Sequence, residues 1–431
     1  MNIELSSQSS FSTPGKHSPN CRLCGRALTH TLVDLGMSPL CESFLKADAL
    51  DAMEPFFPLN VLVCDRCFLV QLQEYVTPEH IFREYAYFSS YSTSWVAHAK
   101  AYCAMITSRL RLGPQSLAVE LASNDGYLLQ HFAPLGVPML GIEPAVNVAK
   151  VATEKGVPTL TEFFGVALAE RLVGEGRQAD LIIGNNVLAQ VPDLNDFVTG
   201  MTKLLKPEGV ITLEFPHLER LIAENQFDTI YHEHFSYFSF TTIGLMAARH
   251  GLKVIDVEEL PTHGGSLRVY FAHDASSHAV TGAVSALLAR EAALGFADMT
   301  TYASFQEQVR RTKRKLLAFL IAAKNDGKTI CGYGAPGKGN TLLNYCGIGT
   351  DFLDFTVDRN PYKHGLYTPG MRIPILPPEH LTQARPDYVL ILPWNLKTEI
   401  VQQMSHIGEW GGRFIVPIPE VTVLEPEGAL A

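Results

Sequence analysis

Four of the eight cysteines stand in two Cys-x-x-Cys pairs, Cys21-Arg-Leu-Cys24 and Cys64-Asp-Arg-Cys67, and no other feature limits the N-terminal fold so tightly. A two-residue spacing turns both sulfurs of a knuckle towards one ion, and two knuckles supply four thiolates for tetrahedral Zn2+. Four thiolates leave no open coordination position, so the expected metal is structural. The stretch between Cys24 and Cys64 is longer than in a small zinc ribbon, so a loop or hairpin must fill it. Unrelated reduced cysteines are the plain alternative. Cys41, Cys103, Cys331 and Cys346 have no such spacing and read as buried thiols.

In a reducing compartment such pairs are metal or redox sites far more often than disulfides. The N-terminus, Met1-Asn-Ile-Glu-Leu-Ser-Ser, lacks the apolar core of a signal peptide, and a cytoplasmic protein is expected. No apolar run reaches the roughly 18 residues of a membrane span. Lys+Arg 34 against Asp+Glu 44 gives a net charge of −10, which argues against a nucleic-acid or anionic-membrane binder.

At about 150 residues per domain, 431 residues hold two or three domains. A Ser/Pro-rich tail over 1–20 precedes a zinc-binding module over 21–76. Residues 78–112 read as helical. From 117 to about 270 strand-like runs alternate with helical patterns: 117–121, 138–142, 179–184, 209–215 and 267–271. Such alternation predicts a parallel α/β sheet. A Pro-free helical connector over 274–326 leads to a second, smaller α/β pattern over 327–431. It has runs at 329–333, 352–357, 387–392 and 413–417.

Four segments carry candidate chemistry. In Val119-Glu-Leu-Ala-Ser-Asn-Asp-Gly126 a strand ends in a small-residue turn, and Glu143 follows at the end of the next strand, where a carboxylate suits ribose hydroxyls. The turn lacks a full G-x-G-x-x-G, so S-adenosylmethionine fits better than a dinucleotide. An ordinary strand–turn–helix is the alternative. Asn185 and Asn186 follow the run at 179–184 and either share that crevice or cap a helix. The densest cluster is Glu214-Phe-Pro-His217 with Tyr231-His232-Glu233-His234, a composition suited to a general base, an orienting carboxylate and a phenol donor. A solvated His-rich loop is the bland reading. Last, Gly332-Tyr-Gly-Ala-Pro-Gly337-Lys338-Gly follows a strand and precedes a helix, an arrangement suited to a phosphate or diphosphate although it is not a Walker A loop. A flexible turn is its alternative. His98, among other lone histidines, stands in no constellation.

At these residues the chain resembles the zinc-containing nucleotide-sugar C-methyltransferases that make branched deoxysugars. The likeness runs over about residues 20–420. It rests on the cysteine pairs, Tyr85-Ala-Tyr87-Phe-Ser-Ser-Tyr-Ser, Glu120-Leu-Ala-Ser-Asn-Asp-Gly-Tyr, Tyr231-His-Glu-His-Phe-Ser-Tyr, Gly264-Gly-Ser-Leu-Arg and Gly332-Tyr-Gly-Ala-Pro-Gly-Lys-Gly. The resemblance implies a zinc module, a central Rossmann-like S-adenosylmethionine domain (77–273 with its leading helices) and a C-terminal α/β domain that holds the nucleotide of a dTDP-sugar. It implies zinc on Cys21, Cys24, Cys64 and Cys67, and cofactor contacts from Glu120, Ser123, Asn124, Gly126, Glu143, Asn185 and Asn186. Tyr231, Glu233 and His234 become catalytic. Tyr85, Tyr87, Gln190, His232, Gly337 and Lys338 become substrate contacts, Lys338 near the diphosphate. Gln190 stands where members often carry His, and glutamine cannot transfer protons at neutral pH.

The expected reaction takes the proton beside the ketone of a nucleotide-linked 4-keto-deoxysugar with His234, oriented by Glu233, while Tyr231 stabilises the enolate and the carbon receives the methyl group. A monomer with a nucleotide-sugar substrate, and with neither nucleic acid nor membrane as partner, is expected. The rivals are an O- or N-methyltransferase and a non-catalytic zinc-ribbon binding protein.

Overall fold

A computed structural model describes residues 19–77 and 88–426. Tyr85 and Tyr87 lie outside the described residues. β1 (His30–Ser38), β2 (Phe57–Val63) and β3 (Val70–Leu72) form an antiparallel meander, so a hairpin fills the stretch between the knuckles. A fourth strand comes from far along the chain: β9 (Ser236–Tyr237) pairs with β3. This pairing fixes the segment just after His234 to the zinc module.

The central sheet has seven strands. β4 (Ala118–Leu121) is buried along its whole length, as a strand covered on both faces must be. Beside it lie β5 (Met139–Ile142), β6 (Thr159–Leu160), β7 (Ala179–Asn185) and β8 (Leu205–Pro216), all parallel. β10 (Leu252–Leu260) and β11 (Ser266–His273) complete the order β10-β11-β8-β7-β4-β5-β6. β11 runs against both neighbours, which corrects the expectation of an all-parallel sheet. β10 escaped the sequence reading because an edge strand carrying Lys253, Asp256, Glu258 and Glu259 shows little apolar pattern.

Helices cover both faces: α1 (Thr93–Leu110), α2 (Val146–Glu154), α3 (Val166–Gly174), α4 (Leu194–Leu204), α5 (Leu218–Ala223) and α6 (Phe240–Arg249). α1 starts where the Ser92 hydroxyl accepts from the Trp95 N–H. The Pro-free stretch forms α7 (Gly282–Ala293), α8 (Met299–Ala303) and α9 (Phe305–Asn325). In α9, Phe305, Val309, Thr312, Leu316, Leu320 and Ala323 make one buried stripe at helical spacing.

The third sheet orders β14 (Ile375–Leu376), β13 (Thr356–Val357), β12 (Ile330–Tyr333), β15 (Tyr388–Ile391) and β16 (Arg413–Val416) in parallel, with β17 (Thr422–Leu424) antiparallel at its edge. α10 (Gly337–Cys346) follows β12, and α11 (His380–Ala384) and α12 (Lys397–Gln403) complete the domain. One core runs from Val33 and Val61 of the first sheet through Phe305 and Leu316 to Leu342 and Ile391 of the third. Among the described residues no helix is long and apolar enough to cross a membrane.

Both large sheets reverse their strand order beside the first strand, between β4 and β7 and between β12 and β15. A crevice opens at the carboxyl ends of the strands at such a point, and ligands bind there.

Candidate active site

The four sulfurs of Cys21, Cys24, Cys64 and Cys67 all lie within 4.8 Å of one another. Cys21 and Cys67 sulfurs are 3.4 Å apart, and those of Cys24 and Cys64 3.5 Å. Zn–S bonds of about 2.3 Å in a tetrahedron put sulfurs about 3.8 Å apart, so the cluster fits the ion with small adjustment. The Gln71 amide donates to the Cys21 sulfur at 3.2 Å, and the Arg66 N–H to that of Cys64 at 3.4 Å. Such outer contacts orient thiolates. Arg22, inside the first knuckle, donates to the carbonyl of Phe235, to Ser236 Oγ at 3.0 Å and to the Leu72 carbonyl at 2.6 Å.

At the end of β4, Asn124 and Gly126 both take positive φ, 49° and 74°. That tight turn aims the Asn124 N–H at Glu143 Oε2, 2.9 Å away, while Glu143 Oε1 accepts from the Ala145 N–H at 2.9 Å. Asn124 Oδ1 accepts from the Ser89 N–H at 2.9 Å. Glu120 is buried beside Glu143, and burial raises its carboxyl well above the usual range. Asn186, also at positive φ, follows the end of β7, the strand next to β4.

The catalytic segment expected from the sequence splits in two. His234 Nδ1 lies 3.0 Å from the Thr229 carbonyl, and the His234 ring stands 4.1 Å from that of Tyr231. Burial lowers the His234 imidazole to about 4, with His263 and Lys338 adding to the effect. Glu233 turns the other way and accepts from the Cys41 thiol at 3.7 Å. Burial, with Glu42 beside it, pushes the Glu233 carboxyl up to about 8. The expected orientation of His234 by Glu233 is therefore corrected: neighbours in a turn diverge, and a backbone carbonyl orients the imidazole. His232 also departs from expectation. It packs between Phe57 and Tyr75, with Nε2 on the Pro58 carbonyl at 3.2 Å. Gln190 adjoins the segment, since the Ala189 carbonyl accepts from the Phe235 N–H at 2.7 Å.

The loop after β12 brings a second surprise. Its Ala335 N–H donates to Asp358 Oδ2 at 2.7 Å, and the Gly337 N–H meets the Glu42 carboxylate. Lys338 turns inward: its ammonium donates to Asn395 Oδ1 at 3.0 Å and lies 4.6 Å from the centre of the Trp394 ring. The Trp394 indole donates to Asp228 Oδ2 at 2.7 Å. Burial raises the Asp228 carboxyl to about 6, although the Lys338 charge opposes it. α10 also ties the three parts together, through Asn340 to the Cys41 carbonyl at 2.6 Å and Thr341 to the Ile230 carbonyl at 3.1 Å.

Three family models match in succession: a zinc binding domain over residues 21–82, a methyltransferase domain over 95–257 and a C-methyltransferase C-terminal domain over 261–419. The C-methyltransferase NovU of Streptomyces niveus is 39% identical over 413 residues, which is 95% of this chain and 98% of that protein. The chain belongs to this C-methyltransferase family. The ubiquinone biosynthesis O-methyltransferase of Bartonella tribocorum is 29% identical over 96 residues, 22% of this chain and 38% of that protein. A SAM-dependent methyltransferase structure from Anabaena variabilis covers 42% of this chain and 86% of its own, at 13% identity and a TM-score of 0.34.

The protein is thus an S-adenosylmethionine-dependent C-methyltransferase with a zinc-binding domain. The crevice suits the cofactor. Glu120 Oε2, Ser123 Oγ and Asn186 Oδ1 are buried polar atoms with no hydrogen-bond partner among the described residues, a set that polar ligand atoms satisfy.

Sequence reading missed several residues of this C-methyltransferase. His263 sits at φ 55° in the turn after β10, 3.0 Å from the Asn186 amide and edge-on to Trp95 at 5.1 Å. Trp95 stacks on His98, whose Nε2 is 3.0 Å from the buried Glu214 carboxylate. Arg268 donates to the same carboxylate at 2.8 Å. Burial opposes ionisation of Glu214, but His98 and Arg268 hold its carboxyl below the usual range. Glu214, in the run 209–215, was the available signal, because a buried charge needs partners, but no local pattern names them. His217, by contrast, bonds Glu291 at 2.7 Å and serves packing.

Proposed function

We propose that this C-methyltransferase acts on the carbon beside the ketone of a nucleotide-linked 4-keto-deoxysugar, with dTDP as the carrier. The observation that carries the reading is the 3.0 Å contact of His234 Nδ1 with the Thr229 carbonyl. A carbonyl only accepts, so Nδ1 holds the proton and Nε2 keeps its lone pair for the substrate.

His234 Nε2 takes the proton, the C–H pair moves into the enolate and the negative charge gathers on the ketone oxygen. Tyr231, whose ring lies 4.1 Å from that of the base, donates to the oxygen. S-adenosylmethionine, when bound, would offer the nucleophilic carbon an electrophilic sulfonium methyl, its S–CH3 bond breaking to leave a neutral thioether. Glu120, Ser123, Asn124, Gly126, Glu143, Asn185 and Asn186 would hold it, Glu143 offering a carboxylate to ribose hydroxyls. Zinc on Cys21, Cys24, Cys64 and Cys67 is structural, and Glu233 stays protonated near neutral pH. A monomeric cytoplasmic enzyme divided at 21–76, 77–273, 274–326 and 327–431 carries every one of these groups on one chain. NovU, named as a C-methyltransferase and alike over nearly the whole length, supports the reading.

The test mixes the enzyme with labelled S-adenosylmethionine and dTDP-4-keto-6-deoxyglucose deuterated beside the ketone, read by mass spectrometry. Gain of one methyl with loss of the deuteron is expected. Methyl gain with the deuteron retained assigns O-methylation instead.

A further inference from the structure

The loop after β12 looks like a phosphate cradle in sequence, but its backbone donors already serve carboxylates of the chain. Ala335 N–H meets Asp358, and Gly337 N–H meets Glu42. A diphosphate at the start of α10 would face these two acidic groups. Lys338, the cation of the loop, meets neither carboxylate and reaches instead to Asn395 and the Trp394 ring.

Three contacts hold it there. Asn395 Oδ1 accepts from the ammonium, the Trp394 ring lies beneath it, and the Trp394 indole is anchored on Asp228. Asp228 precedes Thr229, the residue that orients His234. One short turn, Phe227–Thr229, therefore carries both the carboxylate that anchors Trp394 beside Lys338 and the carbonyl that orients His234, although Lys338 belongs to α10 and His234 to the loop before β9. His263 completes the group, and the Lys338 charge is felt at both imidazoles. His234, His263 and Lys338 each keep part of their surface accessible, as residues facing a ligand do.

We propose that Lys338 is a catalytic residue whose ammonium meets the ketone oxygen as it becomes anionic, held by Asn395 as a positioning residue, and that it does not bind the diphosphate. This rests on the enolate reading above. The chemistry fits: a preorganised cation aimed at developing charge is worth most where water is excluded. It also removes a difficulty. An imidazole of low proton affinity takes a carbon-bound proton only if the resulting oxyanion is strongly stabilised, and Tyr231 alone supplies one neutral donor.

The experiment follows exchange of the substrate C–H with D2O in the absence of S-adenosylmethionine, by NMR, using dTDP-4-keto-6-deoxyglucose. Substrate affinity is measured by calorimetry on the same samples. For Lys338→Met the expected result is an exchange rate and kcat lower by about 100-fold with Kd within about threefold of wild type. Lys338→Arg keeps the charge but not its place, and an intermediate loss is expected. A raised Kd with exchange and kcat preserved in Lys338→Met overturns the proposal in favour of diphosphate binding. Unchanged Kd and unchanged exchange overturn it as well. If Lys338→Met does not fold, Asn395→Ala gives the same reading: slower exchange at constant Kd supports the proposal, and wild-type exchange overturns it. Methylation by the wild type without any exchange, even with product-like S-adenosylhomocysteine bound, strikes the enolate reading itself.

Discussion

The His234 imidazole and the Thr229 carbonyl are 3.0 Å apart, and that single contact decides which ring nitrogen is free. The lowered proton affinity of His234, to about 4, makes the free-enzyme base neutral throughout the physiological range. The neutral form is the active one, so kcat/KM should hold as pH falls to about 5 and drop only as the ring protonates near 4. His234→Gln should lower kcat by about 100- to 10,000-fold. An acid limb near the ordinary histidine value, or full turnover of the variant, contradicts this assignment.

Arg22 couples the zinc module to the catalytic segment. It lies between Cys21 and Cys24 and donates to the Phe235 carbonyl and Ser236 Oγ, one and two residues after His234. Losing the metal frees the knuckle and with it the position of His234. Chelation, or Cys64→Ser, should therefore lower both Tm and activity, the latter by about 10-fold or more. Arg22→Gln should lower kcat while zinc content, read by atomic absorption, stays at one ion per chain. Full kcat in Arg22→Gln would show that the module only stabilises the fold.

Most strands of the two large sheets and the metal ligands were legible because their signals are local: paired cysteines, apolar runs, a small-residue turn; the charged edge strand β10 and the antiparallel run of β11 were not. The site was legible only in part. Sequence adjacency suggested that Glu233 orients His234, but adjacent side chains in a turn diverge, and Glu233 meets Cys41 instead. The partnership of Lys338 with Asn395, 57 positions away, and of His98 with Glu214, 116 away, depends on tertiary packing that no local pattern encodes.

Glu233 should give a measurable pH signature in stability. Its carboxyl rises from an ordinary 4.5 to about 8 because it is buried near Glu42. Between those values the folded chain keeps a proton that the unfolded chain releases. Stability must therefore fall as pH rises through this window, by at most about 1.4 kcal/mol per unit from this group. Glu233→Gln removes the titration, so its stability measured by urea unfolding should be flatter between pH 5 and 8. Parallel profiles for the two proteins would refute the assignment.

The seat of α10 on the zinc module makes the last prediction. A Cβ added at Gly337 would stand 2.9 Å from the Cys41 sulfur and 3.2 Å from Glu42 Oε1. Real Cβ atoms essentially never approach that closely, so Gly337→Ala must push α10 from Cys41 and strain the Asn340 bond to the Cys41 carbonyl. A loss of about 1–3 kcal/mol is expected, as for other overpacked cores. Cys41→Ala removes the sulfur and costs some stability of its own by leaving a small void. In the double variant the new methyl group occupies the space the sulfur left. Its loss should then be smaller than the sum of the single losses, by about 1 kcal/mol of coupling in urea unfolding. Additive losses would mean that α10 yields elsewhere and that Gly337 is not held by Cys41.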